Sequence, residues 1–205
     1  MIEKLACNVG RKDEEPNINL AFELCEKDDN AGINEIVCGL KFKGKAIAND
    51  CIKVLYEIGK RKPQLISEYI EDFISLLSSK NNRLVWGSMT ALATVALINP
   101  NSIYDNLSVI KKAYKEGSVI TIDNSITVFA KLCKANEKYE KEIFPILIEH
   151  LEYCRPKEVP QHAERIMICI NDNNKKDFLQ VLEERKVNLT DSQIKRIDKI
   201  INKVM

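Results

Sequence analysis

Residues 46–79 read AIANDCIKVLYEIGKRKPQLISEYIEDFISLLSS. Ile52, Leu55 and Ile58 fall on one side of a helix, and after Lys62-Pro63 the pattern resumes at Ile66, Ile70, Phe73, Ile74 and Leu77. Both runs keep the i, i+3, i+4 spacing of an apolar helical stripe. Pro63 stands where a proline can open a helix, because the first helical N–H has no intrahelical acceptor to lose. The stretch therefore predicts two helices joined by a short turn, each apolar on one side. Such a unit cannot bury its apolar faces alone and needs neighbours of its own kind.

The neighbours are in the sequence. At a spacing of 37 residues one column reads Ile18, Leu55, Leu92, Phe129 and Ile166. A second reads Ala21, Ile58, Val95, Leu132 and Cys169, and a third Ile33, Ile70, Leu107, Phe144 and Val181. Pro63 recurs as Pro100. First helices are predicted over 16–27, 46–59, 84–98, 122–135 and 160–170, and second helices over 31–41, 64–79, 102–116, 139–153 and 174–186. Thr190-Asp191 opens a last helix to about 204, and a short helix over about 2–9 ends at Gly10; the two cap the stack. No strand pattern competes. The expected fold class is all-α: a right-handed α-α superhelix of about five two-helix repeats plus a terminal capping helix, in one domain spanning 1–205.

This pattern resembles the HEAT/armadillo type of helical repeat, and the resemblance covers nearly the whole chain. It rests on the helix-pair period rather than on a signature motif. It implies a curved stack whose concave surface, lined mainly by second helices, binds other macromolecules.

Composition narrows the function. The chain is 45% apolar and 30% charged with a net charge of +1, so it is folded and carries no global field toward nucleic acid or an anionic membrane. No apolar run reaches the roughly 18 residues of a membrane span, and the N-terminus is not a secretory signal. The seven cysteines are scattered and never form a CxxC pair, which suits a reducing cytoplasm. Phosphate loops, GxGxxG, HExxH and GxSxG are absent, so neither an enzyme nor a cofactor is expected. His150 and Cys154 are four apart on one helical face, a metal-compatible spacing. Two ligands are too few, and no metal is expected.

The candidate binding residues come from the connections between repeats, which solenoid packing does not dictate. Arg83 and Trp86 enter the third first-helix, Asp123 and Asn124 the fourth, and Gln161 and His162 the fifth. In the 37-residue register Trp86 aligns with Asp123, and Asn124 with Gln161, so the six could share one ledge. The alternative is that Asp123, Asn124 and Gln161 cap helices while Trp86 packs between neighbours. Lys41, Lys43, Lys45, Lys80, Arg83, Lys111, Lys112, Lys115, Arg155 and Lys157 also recur at junctions, as a phosphate-tracking stripe would, or as cations favoured near helix C-termini. The expected function is a non-enzymatic protein-binding scaffold. The alternative is a nucleic-acid-binding protein resembling the HEAT-like DNA alkylation-repair glycosylases, with only weak nucleic-acid binding expected at this charge.

Overall fold

The computed structural model describes residues 1–205, all in helices, turns and connecting segments with no strand. The helices are α1 (Glu15–Lys27), α2 (Asn30–Gly39), α3 (Lys45–Arg61), α4 (Ile70–Leu76), α5 (Asn82–Val95), α6 (Pro100–Asp105), α7 (Leu107–Glu116), α8 (Val119–Ala135), α9 (Glu137–Tyr153), α10 (Val159–Ile166), α11 (Lys175–Arg185) and α12 (Asp191–Val204). None is long and apolar enough to cross a membrane. Two compact units are distinguished, Met1–Ser125 and Ile126–Met205, with the boundary inside α8.

In the first unit α3 lies between α1 and α5, with α2 and the 3-10 segment Pro63–Tyr69 packed on it and α4 on α5. In the second, α9 packs on α10 and α11, and α12 on α10 and α11. Every member of the three apolar columns is buried except Ile18, which is half-buried. The 37-residue pattern is thus the core pattern. Cations close helix ends from the next helix pair: Lys62 Nζ donates to Cys25 O at the end of α1 (2.7 Å), and Arg185 reaches the last carbonyls of α9. Lone carbonyls at a helix C-terminus favour such partners.

Two glycines set how closely α3 and α5 approach. A methyl group on Gly87 would lie 2.7 Å from Ile52 Cγ1, and one on Gly59 would lie 2.7 Å from Ile66 Cδ1 and run into Thr94 Oγ1. Gly87→Ala gains about 1 kcal/mol of helix propensity but overpacks a seam at a cost of about 1–3 kcal/mol. A net loss of about 1 kcal/mol is expected in urea unfolding. A gain would mean that the two helices do not meet there.

Four helix ends depart from the sequence reading, and at the first two a side chain engages the backbone. The helix expected over 2–9 is only a 3-10 turn, Ile2–Lys4, followed by turns. Asn17 Oδ1 accepts from Ala6 N (2.9 Å) and Asp50 Oδ2 from Cys7 N (2.8 Å), so those amides are engaged by α1 and α3. The helix expected over 102–116 breaks at Asn106, whose amide donates to Ser102 O (3.0 Å) and Glu71 Oε1 (3.1 Å). The second helix expected over 64–79 is 3-10 to Tyr69 and α-helical only from Ile70. The fifth first-helix ends its α-helical part at Ile166 and closes in a 3-10 turn, Met167–Cys169.

Candidate protein-binding face

Beside the apolar core stripe the first helices carry a second, polar and aromatic one. On α3 it runs through half-buried Asn49, buried Lys53, Tyr56 and Glu57, and exposed Lys60, and on α5 through Arg83, Trp86 and Thr90, all half-buried. Trp86 is half-buried, and its ring lies 5.8 Å from the Tyr56 ring at an interplanar angle of 48°. The Arg83 guanidinium sits 5.5 Å over Trp86, and Lys53 and Lys60 lie 4.9 and 4.8 Å from the centre of Tyr56. Cations over aromatic faces are held by the ring quadrupole. The two helices thus hold an aromatic pair beneath three cations, and Trp86, Arg83 and Lys60 are the members that reach solvent while Tyr56 and Lys53 are buried under them.

Carboxylates fix those cations. Glu14, just before α1, bridges Arg83 and Lys53, the latter at 2.9 Å. Glu57 takes Lys53 at 3.0 Å, Lys60 at 2.8 Å and Arg61 at 2.9 Å. Burial alone would raise the Glu57 pKa, but Lys60, Lys53 and Arg61 overcome it and pull it down to about 2. Burial alone would lower Lys53, but Glu14 and Glu57 hold it above the usual lysine range. Lys53 is almost wholly buried, so its ammonium is stable only while these partners are ionised.

The predicted site residues divide. Arg83, Trp86 and Asn124 come together in the first unit. Thr90 Oγ1 donates to Trp86 O (2.8 Å), and Asn124 Nδ2 donates to Thr90 Oγ1 (3.0 Å) and to Ile120 O (2.9 Å). Asp123 is half-buried beside Asn124. Neither residue caps α8, because the helix begins at Val119, where Ser118 Oγ accepts from Thr121 N (3.4 Å). Gln161 is half-buried on α10 in the second unit.

His162 is fully buried in the second unit, not on its surface. Its Nδ1 lies 2.7 Å from Nε2 of buried His150 on α9. Cys154, just past the end of α9, joins them: one ligand atom from each of the three lies within 4.8 Å of the others.

Sequence reasoning missed Tyr56, Lys53, Glu57, Glu14 and Thr90. One signal was available, since Lys53, Thr90, Thr127 and Glu164 form a polar column at the same 37-residue spacing. Thr127 accepts from Arg165 Nη1 (2.6 Å), and Glu164 pairs with Arg196 (2.8 Å). Glu14 heads the column of Cys51, Ser88, Ser125 and His162, and nothing in those residues announces a carboxylate.

No protein-family model matches the sequence. No curated protein matches it either. Solved structures do. A designed armadillo repeat protein in complex with the peptide (KR)4 superposes with a TM-score of 0.72 at 15% identity, covering 94% of this chain and 91% of that one. An engineered protein from a structural genomics consortium gives 0.69 at 16%, covering 99% and 96%. A computationally designed armadillo repeat protein for modular peptide recognition gives 0.67 at 16%, covering 92% and 91%. At such identities the likeness speaks for architecture, and it agrees with the helix-pair period and the buried columns: the chain has the all-α fold of armadillo/HEAT-type helical repeats.

Proposed function

We propose that the protein is a non-enzymatic scaffold that binds a protein partner, and that an extended segment of that partner lies across α3 and α5 at Trp86. The observation that carries this reading is the Trp86–Tyr56 pair under Arg83, Lys53 and Lys60. Trp, Tyr and Arg in a well-packed setting are the residues that most often dominate interface energy. Two of the similar designed structures hold a peptide or are built to recognise one. A nucleic-acid role is less favoured, because junction cations are already paired: Lys41 with Asp72, Arg83 with Glu14 and Arg155 with Glu158. The seven cysteines, none in a disulfide, suit a partner met in a reducing cytoplasm.

Peptides selected from a random display library on the immobilised protein provide the test. A peptide seated on this face should bind Trp86→Ala at least about tenfold more weakly, with the melting temperature almost unchanged. Arg83→Ala should act in the same direction. Selected peptides indifferent to both substitutions would overturn the reading. So would losses of binding that merely follow losses of stability.

A further inference from the structure

The chain contains only two histidines, and the fold brings them together beside a thiol. His150 lies in the last turn of α9, Cys154 follows that helix at i+4, and His162 lies on α10. Both histidines stand in columns that are interior in the three preceding repeats. His162 follows Cys51, Ser88 and Ser125, all fully buried, and His150 follows Gly39, Leu76 and Ala113, none of them exposed. Outside these rows the columns leave the core, at Glu14 before α1 and at exposed Val187 past α11. Small or apolar residues serve the six positions within, so helix packing there does not call for imidazole. We propose that His150, Cys154 and His162 form a binding site for a borderline transition-metal ion of the zinc class, with three protein ligands and one position open to water or an outside ligand.

The geometry is close to that of a bound state. With metal–nitrogen and metal–sulfur bonds of about 2.0–2.3 Å, tetrahedral ligand atoms sit roughly 3.3–3.7 Å apart. The two imidazole nitrogens, at 2.7 Å, need to open by about 0.6 Å, and the thiol, within 4.8 Å, needs to close by up to about 1 Å. Side-chain rotation supplies both movements. Binding breaks the imidazole–imidazole hydrogen bond and replaces the thiol proton: the N–H hydrogen shared between His150 Nε2 and His162 Nδ1 moves to the other nitrogen of the ring that carries it, the Cys154 Sγ–H proton leaves to solvent, and the two freed nitrogens and the sulfur donate their electron pairs to the ion. Two imidazoles and a thiolate select zinc, copper or cobalt over magnesium and calcium, which prefer oxygen ligands.

Neighbouring side chains hold the ligands in place. Arg185, itself buried, donates to Glu152 O (2.5 Å) and Cys154 O (2.8 Å) and also reaches Leu151 O, so the end of α9 that carries Cys154 is clasped. Arg155 Nε donates to Glu158 Oε1 (3.0 Å), which fixes the residue just before α10, the helix that carries His162. Such outer groups orient ligands and tune affinity by about 10–100-fold.

The test uses the full chain, stripped of metal with a chelator and then titrated with Zn2+ against a chromophoric competitor. One ion per chain should bind, and thermal stability should rise with Zn2+ but not with Mg2+. Co2+ should give the visible bands of a tetrahedral site and a thiolate-to-cobalt charge-transfer band. Cys154→Ser, at a half-buried position, should abolish that band and weaken Zn2+ binding by more than about tenfold. His162→Asn should weaken binding comparably. Should a variant fail to fold, alkylation of the wild type mapped cysteine by cysteine takes its place: Zn2+ should protect Cys154, and protection of another cysteine instead would overturn the proposal. Zn2+ affinity poorer than about 10 μM would overturn the proposal. So would a cobalt spectrum without thiolate character, or one that persists in Cys154→Ser and so places the ion at another cysteine.

Discussion

Leu92→Ala is expected to lower stability by about 2–5 kcal/mol, toward the upper end of that range. Leu92 is fully buried on α5, one turn from Met89 and Val95, which are fully buried too. The loss combines the transfer free energy of the deleted carbons with a cavity penalty, and the penalty depends on whether the surroundings can collapse. Here they cannot collapse far. Gly87 and Gly59 already place α5 and α3 at close approach, and Ile52 occupies the space over Gly87. Trp86 lies on the same helix, so its fluorescence in a urea titration reports the event locally. The midpoint should fall while the slope stays constant, since the surface exposed on unfolding is unchanged. A loss under about 1 kcal/mol would mean that Leu92 does not face the core.

That prediction rests on a part of the fold that the sequence displays openly. The three apolar columns are core columns because a stacked repeat buries the same face of the same helix each time. Helix ends were less legible. They depend on single polar side chains, such as Asn17, Asp50 and Asn106, that compete for backbone groups once the chain has folded. The candidate face was half legible. Register aligned Trp86 with Asp123 and placed Asn124 nearby, and α8 and α5 do meet through Asn124 and Thr90. It did not show that Tyr56 and its cations come from the preceding repeat. His162 was assigned to a ledge from its neighbours in sequence, although Cys51, Ser88 and Ser125 in its own column marked an interior position. The contact with His150 joins two helices across a turn, and no one-dimensional spacing carries it.

Glu57→Gln is expected to cost about 3 kcal/mol at neutral pH, the lower end of what breaking a buried ion pair costs. The Glu57 side chain is 9% exposed and that of Lys53 8%, so the charge left behind cannot turn to water. Glu14 still faces Lys53, which keeps the loss from being larger. Lys53→Met should behave differently. It leaves Glu57 with Lys60 and Arg61 and Glu14 with Arg83, while an apolar chain fills the space, so a cost below about 1 kcal/mol is expected. The sign with pH follows from the carboxylate. Its pKa falls from the ordinary 4.5 to about 2 on folding, so its contribution is complete above pH 4.5 and is lost as pH drops toward 2. Glu14, also lowered, shifts stability in the same sense. The gap between wild type and Glu57→Gln should therefore be widest near neutral pH and close progressively between about pH 5 and pH 2. Urea unfolding at pH 7, 4 and 3 measures it. A gap of the same size at pH 3 and pH 7 would show that Glu57 acts through shape rather than charge, and the cations over Tyr56 would then need another anchor.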